Sequence, residues 1–102
     1  DDTSTNYGLR KARFAFYYGL ELFEDGEIEE SIKQFKEMMA GIDEGYDRMP
    51  SEHYTLYFLK SHATEITQIL QILRQTPLIE DLIELDPSNK DIYATGLKDK
   101  SP

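Results

Sequence analysis

The sequence predicts an all-α fold: an antiparallel helical hairpin followed by a long third helix and one or two short helices. Three observations carry that expectation. Apolar residues recur at steps of three and four through most of the chain. No alternation of the kind a strand needs survives over more than a few residues. Short clusters of glycine, proline and acids punctuate the periodic runs where helices would have to end.

Residues 1–6, DDTSTN, are polar and read as a flexible N-terminal segment, with Thr5 or Asn6 offering a helix cap. From Tyr7 to about Glu24, the residues Leu9, Ala12, Phe16, Leu20 and Phe23 form one stripe. Phe14, Tyr17, Tyr18 and Leu22 widen it, so this first helix is expected to be buried on more than one side. Asp25-Gly26 ends it, because glycine accepts the left-handed conformation that closes a helix. The second helix has a clean single face of Ile28, Ile32, Phe35, Met39 and Ile42. Glu27, Glu29 and Glu30 lie at its start, where the helix dipole favours negative charge. So short an elbow makes the two helices antiparallel neighbours.

Gly41, Gly45 and the Met49-Pro50 pair mark a connecting loop. Ser51 then caps a third helix that runs to about Gln75. Its stripe is Leu59, Ala63, Ile66, Leu70 and Leu73, thickened by Tyr54, Phe58, Ile69 and Ile72. Thr76-Pro77 stops that helix and starts a fourth, with Thr as cap and Pro at the first helical position. Leu78, Ile79, Leu82 and Ile83 are the fourth helix's apolar positions. Asp86-Pro87-Ser88 turns the chain into a last short helix over Asn89 to Leu97. The expected organisation is one helical domain over residues 7–97 with a flexible tail over 98–102.

Composition narrows the function. Hydrophobic residues make up 39% of the 102 and charged residues 30%, the balance of a folded, helix-rich chain rather than a disordered one. There is no cysteine, which excludes disulfides, thiol catalysis and cysteine-ligated metals. The formal net charge of −9 is concentrated, since residues 21–47 hold ten acids against Lys33 and Lys36. Such a surface repels nucleic acid and anionic membrane, and attracts a basic protein or peptide; the plainer reading is a solvated helix face that keeps the chain soluble. No apolar run reaches the length of about 18 residues that a bilayer span needs. Asp1 in the place of an initiator methionine reads as the start of a mature or trimmed piece.

Nothing in the chain carries the marks of a catalyst. His53 and His62 lie too far apart in sequence for a helical metal pair. Glu29-Glu30 and Glu80-Asp81 are adjacent acids with no sign of the burial that acid–base chemistry requires. Ser31, Ser51 and Ser61 lack a nucleophile context, and no glycine-rich phosphate loop occurs. Arg10, Lys11 and Arg13 make a small basic patch, too few charges to define a site. The expectation is a non-enzymatic protein with no cofactor, no metal and no nucleic-acid partner.

Aligned on Gly26, residues 12–45 resemble one tetratricopeptide repeat, a helix–turn–helix unit of about 34 residues. Tyr18 and Gly19 stand where that family has a large residue followed by glycine, and Leu22 supplies the large apolar residue three further on. Gly26 takes the elbow, Ser31 the small position on the second helix and Phe35 the aromatic four later. A glycine inside a helix costs about 1 kcal/mol against alanine. The resemblance implies that Gly19 lets the two helices approach closely, with Ser31 opposite it. Two positions depart from the pattern: Met38 replaces a small residue, and Asp43 lies near the place of a closing proline. LIELDPSNKDIY, residues 82–93, is similar to the end of one repeat and the start of the next.

YYGLELFEDGEIEESI and QILQILRQTPLIEDLIELDP (residues 68–87) together resemble a narrower family, the cytosolic domain of the mitochondrial outer-membrane presequence import receptor. That resemblance implies a single repeat followed by further helices, and a shallow trough. Phe16, Leu20, Phe23 and Glu24 would form one wall, Ile69 and Ile72 the other, with a basic amphipathic peptide between them. The plainer alternative is that these apolar positions are core. Phe16 and Leu20 also occupy the step where a carboxylate clamp for chaperone tails needs Lys and Asn, so that use is missing. Three functions stay open: a helical adaptor or structural subunit of a larger complex, a receptor for basic presequence-like peptides, or an accessory subunit of an enzyme complex. The expected location is intracellular, in the cytosol or at the mitochondrial surface.

Overall fold

A hairpin and a helical corner make up the chain. The computed structural model describes residues 2–48 and 54–98. It is all-α: α1 spans Asp2–Glu24, α2 Ile28–Arg48, α3 Tyr54–Ile72, α4 Thr76–Leu85 and α5 Lys90–Ala94. Two 3-10 turns, Pro87–Asn89 and Thr95–Leu97, flank α5. Where one domain over 7–97 is expected, the chain divides into two compact units, Asp1–Thr55 and Leu56–Pro102.

In the first unit, α1 and α2 pack against each other along the hairpin. The elbow forms because Gly26 sits at φ +81°, the left-handed region that only glycine enters without cost. There its N–H donates to the Phe23 carbonyl at 3.1 Å, and Glu27 N–H donates to the Leu22 carbonyl at 2.9 Å. Those two bonds satisfy carbonyls that the end of α1 would otherwise leave without donors. Among the described residues, this unit's buried apolar side chains include Ala12, Ala15, Phe16, Phe35, Met38, Met39 and Ile42. The rings of Phe16 and Phe35 lie 6.5 Å apart, centroid to centroid.

Gly19 is buried against α2. A β-carbon there would lie 3.1 Å from each of two Phe35 ring carbons and 3.4 Å from Cβ of Gln34. The partner of the glycine is therefore Phe35 rather than Ser31. Ser31 sits one turn nearer the elbow, fully buried, and its hydroxyl donates to its own helix at the Ile28 carbonyl, 2.8 Å away. Lys11 ties α1 to α2 at the open end, with Nζ 3.5 Å from Glu37 and 3.8 Å from Glu44. These are half-exposed pairs, and each contributes little.

Several boundaries in this unit differ from expectation. Helix α1 begins at Asp2, so Thr5 and Asn6 lie inside it rather than capping it. Helix α2 runs through Gly41 and Gly45 to Arg48, whereas the glycines predict a loop there. A helical glycine costs only about 1 kcal/mol, and the burial of Met38, Met39 and Ile42 around Gly41 outweighs that. The largest correction concerns the flanks of α1. Phe14, Tyr17 and Tyr18, expected in a widened core, are exposed. Ile28 is exposed as well, so the clean face of α2 becomes buried only from Phe35 onward, with Ile32 half-buried.

In the second unit, the expected α3 stripe is buried throughout: Leu59, Ala63, Ile66, Leu70 and Leu73. Phe58 and Ile69 join it, whereas Ile72 is 64% exposed. Helix α3 ends with the same closing bonds as α1: Arg74 N–H to the Gln71 carbonyl at 3.0 Å and Gln75 N–H to the Leu70 carbonyl at 2.8 Å. Here the left-handed residue is Arg74, at φ +58°, which costs a non-glycine residue roughly 1–2 kcal/mol. That closure makes Gln75, not Thr76, the residue that caps α4, and no side chain bonds to the helix end. The expected caps Ser51 and the pair Met49-Pro50 lie outside the described residues.

Two features close this unit. Asp86, buried at the end of α4, accepts hydrogen bonds from Ser88 Oγ at 2.8 Å, Asn89 Nδ2 at 2.7 Å and Tyr93 OH at 2.6 Å. Three polar groups, two from the DPSN turn and one from Tyr93, thus gather round one carboxylate, and the last helix breaks into a 3-10 turn, α5 and a second 3-10 turn. Gly96 then lands on α3 and α4. A β-carbon at position 96 would come 2.7 Å from Cγ2 of Thr67 and 2.8 Å from Cδ1 of Ile79, both buried. Thr67 cannot simply rotate away, because its hydroxyl donates to the Ala63 carbonyl at 2.7 Å.

Two stability series follow from these contacts. Gly96→Ala is expected to cost about 1–3 kcal/mol by overpacking. Gly19→Ala is expected to move stability by under about 1 kcal/mol, since the gain in helix propensity opposes a milder squeeze. In a Phe35→Leu background the same change should stabilise; urea midpoints at constant slope would measure each. Tyr93→Phe should cost about 1–3 kcal/mol, as it removes a buried bond to a carboxylate. It should cost much less in an Asp86→Ala background, a coupling that a double-mutant cycle reads directly.

Candidate functional site

On the first unit, the outer side of α1 carries the largest departure from ordinary burial. Phe14 is 70% exposed, Tyr17 55% and Tyr18 41%. At about 100° per residue, positions 14, 17 and 18 share one side of the helix. They turn away from Ala12, Ala15 and Gly19, which are buried. The Phe14 and Tyr18 rings lie 5.9 Å apart and tilted at 49°, while Tyr17 lies 5.3 Å from the Phe16 ring. Both pairs lie within the range of favourable aromatic contacts.

Acids continue this surface toward the elbow. Glu21, Glu24, Asp25, Glu27, Glu29 and Glu30 are all exposed. No lysine or arginine occurs between Arg13 and Lys33, so this stretch has no cation of its own in sequence. Lys11, the nearest base whose ion pairs are seen, is engaged by Glu37 and Glu44 instead. The arrangement is an aromatic strip leading into an uncompensated negative field. Chemically it suits apolar contact and cation attraction.

The residues singled out from the sequence separate into two groups. Phe16 is fully buried against Phe35 and serves the hairpin core. Leu20 and Phe23 are half-buried and Glu24 is exposed, so these three remain accessible on α1. In the second unit Ile69 is buried and Ile72 exposed on α3. Gly19, Gly26 and Phe35 form the hairpin's contact and its elbow, and Ser31 is buried beside them on α2. Phe14, Tyr17 and Tyr18 were missed as surface residues. The signal lay in the count of aromatics on one helix, more than a single partner helix can cover.

His62 is half-buried on α3, its Nδ1 3.6 Å from Glu65 and its ring 5.0 Å from that of Phe58. His53 lies outside the described residues. Among the described residues, no group of three His, Asp or Glu side chains is placed to hold a metal ion. Among them too, no helix is long and apolar enough to cross a membrane. No family model matches the chain, and neither a curated protein nor a solved structure matches it.

Proposed function

We propose that this chain is a non-enzymatic protein-interaction module, an adaptor or structural subunit whose hairpin docks a basic partner. The observation that carries the reading is the exposed row Phe14, Tyr17 and Tyr18 beside the acidic elbow. Aromatic side chains in that state are the usual anchors of protein interfaces, because they bury much area at small entropic cost. The acids supply attraction at a distance and orientation on arrival.

A second reading, which the family resemblance implies, is a receptor for basic amphipathic presequence-like peptides at the mitochondrial surface. The accessible Leu20 and Phe23 with Glu24 at their edge favour it. Both readings take a cationic partner and differ in which side of α1 it covers.

The test is a titration of the whole chain with a basic amphipathic helical peptide, followed by amide chemical shifts. Binding should move the α1 and elbow signals, weaken with salt, and vanish for a scramble that keeps charge but loses the apolar face. The triple change Phe14→Ser, Tyr17→Ser and Tyr18→Ser should weaken it by roughly tenfold or more with helicity retained. If Leu20→Ser with Phe23→Ser weakens it instead, the peptide-receptor reading takes precedence. Equal binding by all variants and by the scramble would overturn both.

A further inference from the structure

The second unit carries a groove of its own. About 470 Å³ in volume, it is lined by Pro77, Glu80, Asp81, Ile83 and Glu84 of α4 and by Leu97 of the last 3-10 turn. Its floor is apolar: Pro77 and Leu97 are exposed, the latter by 39%, and Ile83 is half-buried. Its rim is three exposed carboxylates within five residues, and among the described residues no cationic one lines it. The groove forms because Leu78, Ile79 and Leu82 turn into the core, which leaves the opposite side of α4 to the acids. Gly96 meanwhile brings Leu97 in close by packing on Thr67 and Ile79.

We infer that this groove binds an arginine of a partner protein, together with the apolar residue next to it. Three features of the groove select that occupant. Glu80 and Glu84 stand one helical turn apart, on the same side of α4. A planar guanidinium with five donors can bridge two such carboxylates, which the compact ammonium of lysine does less well. The aliphatic stem of an arginine lies favourably on an apolar floor while its head stays at a wet, charged rim. Charge complementarity excludes an acidic or phosphorylated segment. The groove belongs to the second unit, and the inference does not rest on the function proposed for α1.

The probe is a capped hexapeptide of alternating leucine and arginine, titrated into the whole chain with amide shifts followed. Its control replaces each arginine with citrulline, which keeps the shape and removes the charge. The arginine peptide should shift signals over residues 77–84 and at Leu97, and the citrulline peptide should not. Glu80→Gln with Glu84→Gln should weaken binding roughly three- to tenfold, and Ile83→Ser should weaken it with the charges intact. Phe14→Ser with Tyr17→Ser should leave these shifts unchanged, so failure of the α1 reading and failure of this one are told apart. The inference is overturned if the citrulline peptide binds equally, or if shifts appear only on α1 and the elbow. It is also overturned if magnesium or calcium alone reproduces the shifts, or if they grow with protein concentration when no peptide is present.

Discussion

Each unit depends on a place where a side chain is missing. At position 19 the absent β-carbon lets the ring of Phe35 come within contact of the α1 backbone. Ala12 and Ala15 extend the same buried seam of small residues along α1. Once that seam faces α2, the helical period fixes the direction of every other residue on α1. Phe14, Tyr17 and Tyr18 are then turned outward by geometry, however hydrophobic they are. Gly96 plays the corresponding part in the second unit, where it draws the last turn onto Thr67 and Ile79 and so sets Leu97 beside α4.

Polar chemistry completes what the close contacts begin. The two helices that end in left-handed residues do so with the same pair of backbone bonds, once with Gly26 and once with Arg74. The glycine version costs little, whereas the arginine version is held by its surroundings. Leu73 just before Arg74 is buried, and Leu78 and Ile79 just after it are buried too, so core burial on both sides fixes the bend. Asp86 does the same for the following corner. Its carboxylate gathers Ser88, Asn89 and the fully buried Tyr93. A helix as short as α5 has little stability of its own and takes its form from such anchors.

Much of the fold was legible in the sequence because helix existence depends on periodicity, which is local. The order of helices, the elbow at Gly26 and the complete α3 stripe are of this kind. So is the close approach at Gly19, though its partner proved to be Phe35. The differences lie where a local rule was outweighed by packing or by backbone bonding. Gly41 looked like a terminator but lies between buried residues of α2. Thr76 looked like a cap, but the closing bonds of α3 had already placed Gln75 there. The surface on α1 was hidden for a different reason: an aromatic-rich helix has several possible inner faces, and only its partner decides among them. The groove beside α4 was not legible at all, since Leu97 reaches it through a fold-back that no pattern in the sequence announces.

The positions of the acids bear on function more than their number. Glu29 and Glu30 occupy the first turn of α2, where the helix dipole welcomes negative charge, so folding alone accounts for them. Glu21, Glu24 and Asp25 are at the opposite kind of place. They crowd the C-terminal end of α1, whose last turn holds no base. Glu84 stands in the same relation to α4. Each such charge is disfavoured by about 0.3–1 kcal/mol near an exposed helix end, and none gains an ion pair among the described residues. Local stability therefore gives no reason for them. A cation brought by a partner would relieve both the dipole and the mutual repulsion at the same stroke. Each cluster also adjoins apolar side chains left exposed, Tyr17 and Tyr18 in one unit and Leu97 in the other. The proposed binding role rests on this pairing, in each unit, of acids without an ion pair and apolar side chains at the surface.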